Sequence, residues 1–303
     1  MFKTLLLFLS LVSLGFSQEF AYQVKNVDIN NEFPHFGIMP VGNNEVIFIS
    51  YQLNKKGRVR INFDGEGILG IYKGTPDEDG GIVGIEEIKI DPNAELGQVT
   101  SAVLGADGRL IYITTTYTNK NRPKGDFKKD NYHIEVGEFK PGVGYTNFKV
   151  LPFCKPRYSY AHPALSTDGK TLYFTSNQRG GKQTTKGGSD IFMAPILSHN
   201  KFGELQNLGS KVNSYSREMF PTIGPDKTLF FASNRSSGFG GYDIYKSQLN
   251  ADGTYSKAEK MPEPINSKKD DLSLVMFGDN TGYVVSKRLK GKGDDDIYYF
   301  HMK

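Results

Sequence analysis

Asp190, Asp243 and Asp296 are the residues whose type and spacing most invite chemistry. They are three carboxylates 53 residues apart each time, and each heads an Asp-Ile-aromatic triplet (Asp190-Ile191-Phe192, Asp243-Ile244-Tyr245, Asp296-Ile297-Tyr298). Acids gathered around a common axis could hold a metal ion or act as general acid and base. An aspartate that opens a strand after a glycine-rich hairpin has a plainer use: it accepts hydrogen bonds from backbone N–H groups and nearby polar side chains. A role recurring in every copy of a repeat is architectural. The expected partners are Ser176, Asn177 and Arg179 in one copy and Ser233, Asn234 and Arg235 in the next. No acid departs from the pattern in the way a catalytic residue would.

Other candidates are weaker. Gly180 to Gly188 contains Lys182 and Lys186 and resembles an anion cradle, but it lacks Gly-Lys-Ser/Thr and joins two strands instead of opening a helix. It reads as an exposed hairpin tip. Lys120, Arg122, Lys124 and Lys128 form one basic stretch, and Lys287, Arg288, Lys290 and Lys292 another. As solvated loops they need no partner; as a contact they would suit an acidic protein or an anionic membrane surface. The five histidines form no ligand pair, so no metal or other cofactor is expected, and a net charge of +4 is too small to argue for nucleic acid.

The elements that must position these residues follow from the repeat. His162 to Asn177 and Phe220 to Arg235 are two copies of one pattern, each with an approach strand, a tight turn and a Leu-aromatic-aromatic strand. The turn acids are Asp168 and Asp226, with Asp279 in a later copy, and an aspartate or glycine there suits a hairpin. A third strand begins at each repeated aspartate, and a fourth leads into an aliphatic-Asn pair, Val212-Asn213 or Ile265-Asn266. Drifted copies lie upstream, with His133 and Gly67 in place of the aspartate and, in the first, Glu87 to Ile90 as the fourth strand. Second strands ending at Ser50, Thr115, Ser176, Ser233 and Ser286 count five repeats. The last copy has three strands, and Val24 to Pro34, with its Ile29-Asn30 pair, matches the missing fourth. An all-β, five-bladed β-propeller of four-stranded antiparallel blades is therefore expected, closed by the N-terminal strand of the mature chain. Its divisions would be a closing strand at 22–30 and blades at about 31–94, 95–159, 160–215, 216–270 and 271–303.

Residues 1–18 read as an export signal: Lys3, an apolar run from Leu5 to Leu14, then small residues. No later segment approaches the roughly 18 apolar residues of a spanning helix. Residues 19–303 would then be one exported domain, with Cys154, its single cysteine, a buried hydrophobe.

Ser166 to Asn177, and Ser233-Asn234-Arg235 through Gly240-Gly241-Tyr242-Asp243-Ile244-Tyr245, resemble the WD40-like, TolB-type propeller repeat of bacterial envelope proteins. The likeness is closest in repeats three and four and lessens toward repeat one. It implies a protein-binding platform in the periplasm or at the outer membrane, the cell surface included. Relatives with this repeat occur fused to peptidoglycan-binding domains and in type IX secretion and gliding machinery. The resemblance thus implies a non-catalytic Gram-negative envelope protein, an accessory subunit of an outer-membrane export (type IX-like) or anchoring complex, with envelope proteins as partners. The long connections Asn54 to Glu66, Thr75 to Gly84 and Thr116 to Asn131 are the expected contact regions. A different class, a carbohydrate-binding or glycoside-hydrolysing five-bladed propeller, would require unlike carboxylates about 5 to 9 Å apart at the central channel.

Overall fold

The computed structural model describes residues 22–42, 44–63, 65–118, 121–124, 128, 130–181 and 183–303. The candidate export segment, Lys120 and Lys182 lie outside the described residues. Strand β1 (Tyr22–Asn26) precedes blade one, which is β2 (Phe36–Val41), β3 (Glu45–Tyr51), β4 (Leu69–Pro76) and β5 (Ile82–Glu87). Blade two is β6 (Ser101–Leu104), β7 (Leu110–Thr116), β8 (Tyr132–Lys140) and β9 (Gly144–Val150). Blade three is β10 (Tyr160–Leu165), β11 (Thr171–Ser176) and β12 (Asp190–Ser198), its outer edge divided between β13 (Lys201–Phe202) and β14 (Gln206–Asn207). Blade four is β15 (Glu218–Ile223), β16 (Leu229–Ser233), β17 (Asp243–Ser247) and β18 (Glu259–Lys260). In blade five β19 (Asp271–Phe277), β20 (Thr281–Ser286) and β21 (Asp296–Met302) are completed by β1, antiparallel to β21 with Tyr22 opposite Met302 and Asn26 opposite Tyr298.

The first strands lie side by side around a ring: β2 by β6, β6 by β10, β10 by β15, β15 by β19, and β19 back to β2. The molecule is a five-bladed propeller closed by its N-terminal strand. Its core lies mainly in the layers between blades. One layer joins Tyr112, Ile134 and Phe174 of blades two and three, and another joins Phe230, Ile244 and Phe300 of blades four and five. A further layer, with Val27, Ile38, Phe48 and Val285, joins blade five to blade one. Second strands are therefore buried on both faces, which explains why they read as unbroken apolar runs such as Val46 to Ile49.

Because every blade is antiparallel, its first strand runs from one face, called upper here, to the other. Second-to-third and fourth-to-first connections then lie on the upper face, and the remaining turns on the lower. In three lower turns an aspartate takes the N–H two residues on: Asp107 from Arg109, Asp168 from Lys170 and Asp226 from Thr228, each at 3.0 Å. Gly108 and Gly169 supply the positive φ these turns need, and in blade four Lys227 adopts it at 67°. Asp279 makes no such bond among the described residues.

Two details differ from the sequence expectation. In blade one Gly70, not Gly67, stands opposite Ser50, where blade two has His133 and blades three to five have aspartate. The reason is the long connection before it, which folds on itself: Leu53 bridges Val59 and Ile61 bridges Gly67, so residues 52–63 and 65–68 form a small three-stranded meander on the upper face. The fourth strand of blade one is Ile82–Glu87, not Glu87 to Ile90, and it is exposed beyond Ile82.

Candidate functional site

The three repeated aspartates are wholly buried, with at most 1 % of their surface exposed. Asp190 accepts from the N–H groups of Lys186 (2.9 Å) and Gly187 (3.2 Å) and from the Asn207 amide (2.7 Å). Asp243 accepts from Phe239 (3.0 Å) and Gly240 (3.3 Å). Asp296 accepts from Gly293 (2.9 Å), Lys292 and the Asn26 amide (3.0 Å). Their donors are thus the loop before each strand and, in two blades, an asparagine of the outer strand. They are not Ser176, Asn177 and Arg179, nor Ser233, Asn234 and Arg235. Behind each aspartate a second asparagine brackets the following isoleucine: Asn213 binds both N–H and C=O of Ile191, Asn266 those of Ile244, and Asn30 those of Ile297. This is the function of the aliphatic-Asn pairs, and it ties the exit of each outer strand to the third strand.

The serines and arginines have other partners. Glu218, at the upper end of β15, accepts from the Ser214 and Ser233 hydroxyls (2.6 and 2.9 Å) and pairs with Arg235 at 3.2 Å. Arg235 also donates to Val212 O and lies 4.7 Å over the Tyr245 ring. One blade on, Asp271 pairs with Arg288 at 2.9 Å. Arg288 further donates to Pro264 O (3.0 Å), Ile265 O (2.8 Å) and Ser286 Oγ (2.9 Å), and lies 4.7 Å over Tyr298. Arg288, expected on a contact loop, is instead turned inward as a clamp between blades four and five. Blade three replaces the ion pair by a neutral one, with Tyr160 Oη donating to Gln178 at 3.0 Å. The glycine-rich loop is likewise folded back: Arg179 donates to Thr185 O and, at 2.7 Å, to Gly187 O, and Ser176 Oγ donates to Ser159 O at 2.8 Å.

The central channel has two mouths. The lower, of about 550 Å³, is lined from all five blades and mainly apolar, including Met39, Leu104, Ile223 and Phe277. The upper, of about 390 Å³, has a lining that includes Thr100, Asn177, Arg217, His162, Phe36 and Phe220. His162 and Phe220 stand at the same bulge of successive first strands, both with left-handed backbone (φ 54° and 48°), where blade one has Gly37 (62°). That conformation is unfavourable for residues with a Cβ. It is held by the His162 N–H on Thr114 Oγ1 (3.0 Å), by Nδ1 against Thr175 Oγ1 (3.0 Å) and by the two rings packed 3.8 Å apart. Burial pushes the His162 imidazole down to about 3, so it is neutral near pH 7.

The upper face also carries large exposed apolar side chains from each part of the ring. Phe63 (105 % exposed) stands at a turn of the blade-one meander, Tyr132 opens β8, and Tyr215 (82 %) lies before β15. Phe239 and Leu289 (77 %) occupy the upper loops of blades four and five. Cations accompany them: Lys186 lies 4.5 Å over Tyr215 and Lys260 lies 3.6 Å over Phe239. Lys55, Lys56, Arg58 and Arg60 are exposed on the same meander as Phe63, the first three around its other turn. Arg122, Lys124 and Lys128 are exposed on the upper loop of blade two, which leads into Tyr132.

No protein-family model and no curated protein matches the chain. Among solved structures 305 chains match. A putative gluconolactonase aligns over 93% of this chain and 92% of its own, at 11% identity and a TM-score of 0.47. An α-L-arabinofuranosidase from Podospora anserina, in complex with cellotriose, aligns over 90% and 91% at 9% identity and a TM-score of 0.46. A puromycin hydrolase aligns over 84% of this chain at 12% identity and a TM-score of 0.46, and the chain spans 50% of its length. It spans 34% of a puromycin-hydrolysing peptidase from Mycobacterium tuberculosis.

The clamps and the exposed ring were not foreseen from sequence. The clamps left one signal, an acid 17 residues before an arginine in both Glu218–Arg235 and Asp271–Arg288. The exposed apolar residues follow no period and left none.

Proposed function

We propose that this protein is a non-catalytic docking platform of the bacterial envelope, and that its partner protein binds the upper face. The observation that carries this reading is the set of exposed apolar side chains there, Phe63, Tyr132, Tyr215, Phe239 and Leu289, with lysines lying over two of the rings. Aromatic anchors with adjacent cations on rigid loops are the chemistry of protein interfaces. The inward carboxylates support the same reading, because Glu218 and Asp271 at the upper ends of their strands are held by Arg235 and Arg288. The export-like N-terminus and the TolB-type repeat resemblance support an envelope setting and a partner in an outer-membrane export or anchoring assembly.

The test is recovery of partners from detergent-solubilised envelopes by the tagged protein, compared with Phe63→Asp and Tyr215→Asp on the upper face. Phe139→Asp and Leu197→Asp, exposed at the lower ends of β8 and β12, serve as controls. Loss of the same stoichiometric partner with the upper-face variants alone is the expected result. Equal recovery from all four variants would sink the upper face as the docking surface.

A further inference from the structure

Arg217 differs from the clamping arginines. Arg179, Arg235 and Arg288 each hold backbone carbonyls, and two of them also hold an acid. Arg217 bonds through its main chain, its N–H donating to Asn234 Oδ1 at 2.9 Å, and its guanidinium has neither an ion pair nor a hydrogen bond among the described residues. Its side chain borders the upper channel mouth, crossing Gly188. A Cβ at residue 188 would fall 2.6 Å from Arg217 Cγ and 2.9 Å from Nε, so only glycine lets the arginine lie there.

The rest of the mouth is complementary to one negative charge. Among the described residues no Asp or Glu lines it. Asn177, on the wall, accepts the Ser159 N–H through Oδ1 at 2.8 Å, leaving its amide N–H groups without a partner among the described residues. His162 adds no charge near neutral pH. Phe36, Tyr132, Met219 and Phe220 supply apolar walls. A single guanidinium matches a monoanion and presents the planar fork that pairs with a carboxylate, whereas a phosphate dianion would be left half compensated.

We infer that the upper channel mouth is a binding site for a carboxylate on an aromatic or apolar stem, with Arg217 as its charge partner. Two sources share this chemistry, the C-terminal residue of a polypeptide and a small aromatic acid. The site shares Tyr132 with the docking surface, whereas Phe63, Tyr215, Phe239 and Leu289 lie outside the cavity, so Arg217 can be tested apart from the docking reading.

The experiment is calorimetric titration of the purified protein with acetyl-Gly-Gly-Phe carrying a free C-terminus, the same peptide amidated, and 3-phenylpropionate. The free acid should bind at least about tenfold more tightly than the amide, as expected for charge-assisted hydrogen bonds. Arg217→Met, which keeps the stem, should lose that discrimination, and Gly188→Ala should weaken it with the circular dichroism spectrum unchanged. Tighter binding of the peptide than of 3-phenylpropionate supports a chain end as the source; equal binding supports a small acid. Acid and amide binding alike, or full discrimination in Arg217→Met, would overturn the assignment.

Discussion

Replacing Arg288 by methionine removes a guanidinium and keeps an apolar stem over Tyr298. The side chain of Asp271 is wholly buried and its partner is 14% exposed, so the variant leaves a buried carboxylate without its cation. Pro264 O and Ile265 O lose their donor as well. Breaking a buried pair from one side costs about 3–5 kcal/mol. With an unfolding entropy of about 2.1 cal/mol/K per residue, this chain of 303 residues would melt roughly 5–8 °C lower. The loss should depend on pH. Burial already raises the Asp271 carboxyl above the ordinary range, against the opposing effects of Ser286, Arg288 and the Ser267 N–H. A carboxyl raised in the folded state favours folding below its unfolded value, near 4, and that contribution is lost as pH rises through the folded value. Losing Arg288 raises the folded value further, so the deficit should be larger at pH 8 than at pH 5. Calorimetric melts at both pH values check this, and Asp271→Asn combined with Arg288→Met should recover much of the loss at pH 8. A drop under about 2 °C, or one equal at both pH values, would refute the clamp as a buried ion pair.

Three further outcomes follow from the same structure. Asp295, which burial pushes up to about 6 despite Lys287, should cost stability at pH 8 and not at pH 4; Asp295→Asn should therefore raise the melting temperature at pH 8 alone. Lys227→Gly, at φ 67° in the lower turn of blade four, should stabilise by up to about 1 kcal/mol, read as a higher midpoint in urea unfolding. The Cys154 thiol, which burial pushes up to about 12, should resist a thiol reagent in the native protein at pH 8 and react once unfolded.

Legibility in the sequence followed burial. The second strands, covered on both faces, announced themselves as apolar runs, and the Ile29-Asn30 pair exposed the ring closure because Asn30 must bracket Ile297 as Asn213 brackets Ile191. Outer strands such as Ile82–Glu87 face solvent, so their pattern was faint and their placement slipped. The third strand of blade one was misplaced by three residues because the meander before it has strand-like pairing of its own. At the site, the repeated aspartates were recognised but not their donors, which are main-chain groups with no sequence signature. The acid–arginine clamps depend on register between first and second strands, and Arg217 is distinguished only by what it leaves unpaired.

The closing strand also decides how the molecule can be held. Since Tyr22 pairs with Met302 where β21 ends, both ends of the described chain leave on the lower face, beside each other at the rim of blade five. A tether, linker or fused domain attached at either end would point the opposite face outward. Immobilisation through either terminus on a sensor surface should therefore leave Phe63, Tyr215 and the Arg217 mouth accessible. In a cell, the same geometry would let one link secure the disc while its far side meets a second molecule.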